Sequence, residues 1–226
     1  MQIKPYQQGR FTRHLEKLYP AFKAAFYQCQ THQQFLCAGD EILRQGQTLE
    51  YLYVVSVGRV SMNIAAMNGR RFQLGEIDCD HHIFGEMEFF SDTPCQWSVV
   101  AEEDLDVDII CLQALTTLLI ERPEFQVFFS SALAADYQDS LDIYTHRLLH
   151  PITYNIAYDL WHRSQVNVML GNFDKVTLEA ERFGTSSRVY RRAVKELIEK
   201  GLIEKEGAEI SIVSLSALKT FIDHYD

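Results

Sequence analysis

Three textures of hydrophobic and polar positions follow one another along the chain. Residues 11–30 carry Leu15, Leu18, Phe22, Ala25 and Phe26 at helical spacing. They predict a helix, or two helices interrupted at Pro20. From about 35 to 111 the pattern changes to short β-rich runs. These are separated by Gly39, Gly46, Gly58 and the hairpin signal Asn68-Gly69, and they return at "IFGEMEFF" and "DLDVDIICL". Strands at this spacing predict an antiparallel barrel or jelly roll. Beyond Leu112 the period is helical again. The stretch "EFQVFFSSALAADYQDSLDIYTHRLL" places Phe125, Phe128, Phe129, Leu133, Leu141 and Leu148 on one broad stripe. Such a stripe packs on the chain's own barrel or on a second copy, and a second copy is expected.

The last 75 residues or so read as a helix (152–163), a loop, a short helix (178–183) and a turn at Gly184. A longer helix (187–200) closed by Gly201 follows, then a hairpin around Glu206-Gly207. Helix, turn, helix and hairpin make a winged helix-turn-helix. The expected fold is α+β, with an N-terminal antiparallel β-roll over 1–112, a connecting and dimerisation helix over 113–150, and the winged helix over 151–226.

Composition adds little until it is divided by region. Hydrophobic residues at 47% and charged residues at 23% describe an ordinary globular chain. No apolar run reaches membrane-spanning length and no secretory h-region stands at the start, so a cytoplasmic protein is expected. Cys29, Cys37, Cys79, Cys95 and Cys111 are odd in number and lack a C-x-x-C pair, which points to reduced, buried thiols rather than disulfides or zinc. The net charge of −10 is uneven. Between Arg182 and Lys205 seven basic residues face three acidic ones. Between Phe72 and Glu121 there are twelve acidic residues and neither lysine nor arginine. The two ends do different work.

On the 187–200 helix, Arg188, Arg191, Arg192 and Lys195 fall on one arc, opposite Val189, Ala193, Val194, Leu197 and Ile198. Ser186 is a suitable N-cap. A basic face of this kind can be a solvated surface. Between a turn and a hairpin it suits the DNA major groove, where arginine pairs with guanine. These pieces, in this order, resemble the Crp/Fnr family of bacterial transcription regulators. "ILRQGQTLEYLYVVSVGRVSM" is similar to the family's opening strands, "FGEME" to the start of its phosphate-binding cassette, and "FGTSSRVYRRAVKELIEKGLI" to its recognition helix. The resemblance covers nearly the whole chain. It implies DNA contacts at Ser187, Arg188 and Arg192, to which the helix face adds Arg191 and Lys195. Many members of the resembled family are acidic where this chain has Arg188. A carboxylate accepts from cytosine whereas an arginine donates to guanine, so the resemblance does not carry the family's preferred DNA sequence over to this chain. The expected partners are double-stranded DNA with a near-palindromic operator, a second copy of the chain, and RNA polymerase.

The cassette "GEMEFFSDTPCQWSVVA" (85–101) begins like a strand-turn-strand piece. In cyclic-nucleotide-binding members of the resembled family, its glutamate takes a ribose hydroxyl and a later arginine pairs with the cyclic phosphate. Gly85 and Glu86 are in place here. The arginine position becomes Cys95 and its neighbour Gln96, in a loop one residue shorter. A phosphate buried without a cation costs several kcal/mol, so cyclic AMP is not the expected ligand and no cofactor is expected. Three readings stay open: a vestigial pocket packed with Phe89, Phe90 and Trp97, a neutral or cationic effector, or thiol-based redox sensing.

Two rivals belong to other classes. A cupin-like metalloprotein would use His81, His82 and Glu86, but adjacent histidines on a strand point to opposite faces, so no metal site is expected. A protein-interaction module without DNA binding would use the acidic roll. No nucleophile elbow or P-loop is present, so an enzyme is not expected.

Overall fold

The structure is a computed structural model describing residues 1–6, 9–66, 71–165, 176–207 and 209–225. The Asn68-Gly69 turn expected from the sequence lies outside these residues. The elements in chain order are α1 (Thr12–Tyr27), β1 (Gln30–Leu36), β2 (Glu41–Leu43), β3 (Tyr51–Ala65), β4 (Arg71–Phe84), α2 (Glu86–Ser91), β5 (Ser98–Ala101) and β6 (Leu105–Cys111). Next come α3 (Leu112–Glu121), a 3-10 turn (Pro123–Phe125), α4 (Gln126–Leu149) and α5 (Ile152–Gln165). The chain ends with α6 (Val176–Arg182), α7 (Ser187–Glu199), β7 (Ile203–Glu206), β8 (Glu209–Ile212) and α8 (Leu215–Asp223).

Contacts divide the chain into two compact units, Met1–Met62 with Asp78–Ser140, and Asn63–Ile77 with Leu141–Asp226. The six-stranded sheet has the order β1-β6-β3-β5-β2, with β4 paired to β3. In the first unit, Leu52, Val54 and Ile83 point inward to meet Phe22 and Phe26 of α1 and Phe125, Phe128 and Phe129 around the start of α4. Phe22 and Phe128 stack at 4.0 Å.

Two expectations change here. Pro20 does not divide α1, which runs unbroken through it. Burial of Leu15, Phe22 and Phe26 on both sides of the proline outweighs the lost backbone hydrogen bond. The run "GEMEFF" is not a returning strand. Gly85 takes a left-handed conformation (φ 94°), ends β4 and starts the helix α2.

In the second unit, Tyr154, Ala157, Ala180, Tyr190, Val194, Leu197, Leu218 and Ile222 share a core. Gly184 (φ 62°) and Gly201 (φ 68°) close α6 and α7. The Thr185 amide donates to the Ala180 carbonyl and the Leu202 amide to that of Leu197, the paired-turn ending that only a residue tolerant of positive φ adopts cheaply. β7 and β8 pair antiparallel from Ile203–Ile212 to Glu206–Glu209. Helix α8, which the sequence pattern did not reveal, is capped by Ser214 and buries Leu218 and Ile222.

Candidate functional site

The cassette begins where β4 ends. An added Cβ on Gly85 would lie 2.6 Å from Leu49 Cδ1 and 3.2 Å from Leu52 Cδ2. The space over the glycine is therefore filled by the chain's own side chains. Glu86 is buried, and its Oε1 accepts from the Met1 ammonium at 3.1 Å. The same ammonium donates to the Ile83 carbonyl at 3.0 Å and stands 3.8 Å from Asp136 on α4. Residues 1–3 reach this position as an added edge on β4. Ile3 donates to the His81 carbonyl, and Ile83 donates to that of Met1. Burial alone would weaken the ammonium, but Glu86 and Asp136 outweigh it and raise its pKa above the ordinary value.

At the other end of the cassette Cys95 is 3% exposed. Its amide donates to the Gln47 carbonyl and its carbonyl accepts from the Gly46 amide. Burial, then the neighbouring Glu88 carboxylate, pushes its thiol up to about 11. Glu88 is 4% exposed, and its Oε1 accepts from the Gln96 amide at 3.1 Å. Phe89 packs against the core, whereas Phe90 is 47% exposed, so of the two phenylalanines in the open reading of a packed, vestigial pocket only Phe89 is turned inward.

His81 and His82 diverge. His81 sits at φ 51° and its Nδ1 meets the Tyr27 hydroxyl at 3.2 Å. His82 is 1% exposed, with Nδ1 accepting from the Asp80 amide. Among the described residues no cluster of histidine, cysteine and carboxylate has metal-binding geometry. Of the cysteines, Cys29, Cys79 and Cys95 are buried. Cys37 is exposed, which departs from the expectation of buried thiols, because it sits in the turn after β1.

On α7, Arg188, Arg191, Arg192 and Lys195 are all exposed, and Ser187 is half-buried at the first position. Ser186 caps the helix, its hydroxyl accepting from the Val189 amide at 3.4 Å. Tyr190, Ala193, Val194 and Leu197 face inward. Val189 and Ile198, expected inside, are 44% and 40% exposed. They flank the buried arc at about 90° to its centre, and Tyr190 takes the inward place. Arg182 belongs elsewhere. Its guanidinium forks onto both Asp159 oxygens at 2.9 and 2.7 Å and reaches Glu179 at 3.1 Å, so it braces the core and adds nothing to the basic face.

Residues 33–125 match the family model of the cyclic nucleotide-binding domain. A search of curated proteins finds no match. Solved structures resemble the chain over nearly its full length. The c-di-GMP-responsive global regulator CLP of Xanthomonas campestris is 17% identical, with 86% of this chain and 99% of that one covered and a TM-score of 0.68. A CooA variant from Carboxydothermus hydrogenoformans is 16% identical, with 98% and 99% covered and a TM-score of 0.68. A CRP-family transcriptional regulator of Thermus thermophilus is 15% identical, with 84% and 96% covered and a TM-score of 0.64.

The chain has the Crp/Fnr fold.

Within that fold, Glu86 turns to Met1 at one end of the cassette. Cys95 and Gln96 stand at the other, where Glu88 joins α2 to the Gln96 amide. Arg188, Arg191, Arg192 and Lys195 share the exposed face of α7. Sequence reasoning missed Lys205. With Tyr190, Arg191, Val194, Lys195 and Ile198 it lines a cleft between α7 and β7. The cleft has three cations on its rim and an apolar floor. The signal was present as a lone lysine in a hairpin, but only the register of β7 turns it toward α7. Sequence reasoning also missed that Glu86 and Glu88 are both bonded within the chain. Neither partner, an N-terminal amine and a backbone amide, is a residue type that a motif can display.

Proposed function

We propose that this protein is a sequence-specific DNA-binding transcription regulator that acts as a homodimer and does not respond to cyclic AMP. The observation that carries the DNA reading is the exposed face of Arg188, Arg191, Arg192 and Lys195 on a capped helix, between a Gly184 turn and a hairpin wing. Arg188 and Arg192 lie one turn apart and meet base edges. Arg191, Lys195 and Lys205 border the α7–β7 cleft and meet phosphates. RNA polymerase is the downstream partner, and the operator is a near-palindrome with half-sites about 34 Å apart.

Selection from a random duplex pool tests this reading: a two-fold-symmetric motif should be enriched, and no enrichment over a scrambled pool would reject it. Arg188→Ala should relax preference at one position per half-site, at a cost of roughly 1–3 kcal/mol. Lys195→Ala and Lys205→Ala should weaken all sequences alike and lower the salt slope by about one contact per protomer.

The insensitivity to cyclic AMP is supported by the leucine packing over Gly85, the ion-paired Glu86 and the absence of any lysine or arginine from Phe72 to Glu121. Millimolar cyclic AMP or cyclic GMP should leave the melting temperature unchanged in a thermal-shift measurement. A clear rise would show that the cassette opens to admit them.

A further inference from the structure

We propose that Glu88 is the resident anion of the cassette, with its carboxylate holding the Gln96 amide at the end where the resembled family binds a ligand phosphate, so that Glu88 sets the site's selectivity against anionic effectors. This deepens the reading of the cassette as closed to cyclic nucleotides and rests on it.

The geometry is specific. Glu88 lies in the first turn of α2, which left-handed Gly85 starts, and is turned inward, 4% exposed. Its Oε1 accepts from the Gln96 amide at 3.1 Å. The loop end carrying that amide is pinned by the Cys95 backbone, bonded at 2.8 Å to Gln47 and at 2.7 Å to Gly46. The amide is therefore held toward α2 whatever fills the space.

A part-buried N–H needs an acceptor. A tethered carboxylate supplies one without the translational entropy that a free ligand loses on binding. The charge of Glu88 is also felt at the neighbouring position, since it helps hold the Cys95 thiol at about 11. Position 95 is where the resembled family carries its phosphate-binding arginine. Here an anion takes the donor and a thiol replaces the cation, so the sign of the local charge is reversed. No lysine or arginine between Phe72 and Glu121 offsets it. Loss of the arginine alone would leave a weakened anion site. Glu88 makes it a filled one.

The test is calorimetric titration of inorganic pyrophosphate, an anion that needs neither the space over Gly85 nor a free Glu86, into the full-length protein and three variants, Cys95→Arg, Glu88→Ala, and Glu88→Ala with Cys95→Arg. The expected result is no binding by wild type or by either single variant, and binding by the double variant. In Cys95→Arg the introduced guanidinium would pair with Glu88, and Glu88→Ala on its own provides no cation. Binding by Cys95→Arg as tight as by the double variant, no binding by a folded double variant, or binding by wild type would overturn the role of Glu88. The insensitivity to cyclic nucleotides is read separately, from the thermal shift with cyclic AMP and cyclic GMP.

Should the alanine variants not fold, Glu88→Gln keeps the acceptor without the charge and takes the place of Glu88→Ala in both proteins. Independently, the Gln96 amide should exchange with solvent faster in Glu88→Ala than in wild type, and equal exchange in both proteins would rule out Glu88 as its acceptor.

Discussion

His82 shows how one buried side chain sets a pH limit on the fold. The Asp80 amide donates to its Nδ1, which fixes the tautomer with the proton on Nε2, an atom with no hydrogen-bond partner among the described residues. Burial, and then the nearby Met1 ammonium, depresses its pKa to about 4 from an ordinary 6.5. A depressed folded value means that the unfolded chain takes the proton first. Stability is therefore full above about pH 6.5 and falls through the window down to about 4, by a few kcal/mol at most. In His82→Asn the side-chain oxygen can still accept from Asp80, and the decline between pH 6.5 and 4 should flatten in urea titrations at stepped pH. A parallel decline in wild type and variant would assign it to other groups. Little of this is written in the sequence. "HH" on a strand reads as one residue in and one out, but the left-handed conformation of His81 and the burial of His82 are set by chain paths tens of residues apart.

Helix α4 uses its apolar stripe in two different ways along its length. Phe128, Phe129 and Ala132 are buried against the roll. Further along, Tyr137, Leu141, Tyr144 and Leu148 follow one another at spacings of four, three and four, and are 67%, 49%, 43% and 83% exposed. That spacing is a coiled-coil seam, and four large apolar side chains left in water on one helix line call for a partner. The first half thus follows the alternative in which the helix lies on its own barrel, and the second half is the seam proposed for the dimer. A charge at Phe129 would break the core, so the probe of association is Leu141→Asp. It should convert the dimer to a monomer in sedimentation at micromolar concentration while the melting temperature of the roll changes little, and operator affinity should fall with it because both half-sites are needed. Helical period and stripe were legible in the sequence. The point where the stripe changes partners was not, since phenylalanine and leucine look equally apolar to a periodicity count. The same limit hid α2: "GEMEFF" alternates well enough for a strand, and the choice was made by the conformation of Gly85 and the burial of Glu86 and Glu88.

For the whole molecule, composition revealed the division of labour better than it revealed the boundaries. A roll whose residues 72–121 lack any lysine or arginine and a basic winged helix are visible as charge blocks. That residues Asn63–Ile77, out on the long β3–β4 ribbon, group with the C-terminal unit is visible only in three dimensions. There Phe72 lies 5.4 Å from the Arg147 guanidinium, which in turn stands 5.5 Å from the Phe183 ring at the end of α6. Arg147 is held between two aromatic faces, and burial, with the charge of Arg182, lowers its pKa to about 10. Anyone recombining this protein with a relative inherits a constraint from that sandwich. A crossover placed at the start of α5 exchanges the helix-turn-helix but leaves both Phe72 and Arg147 with the other parent. Phe183 is then exposed, and an arginine is left without one of its two rings. A chimera that respects the molecule's own seams carries the ribbon end and the last turns of α4 together with helices α5 to α8, as one discontinuous cassette.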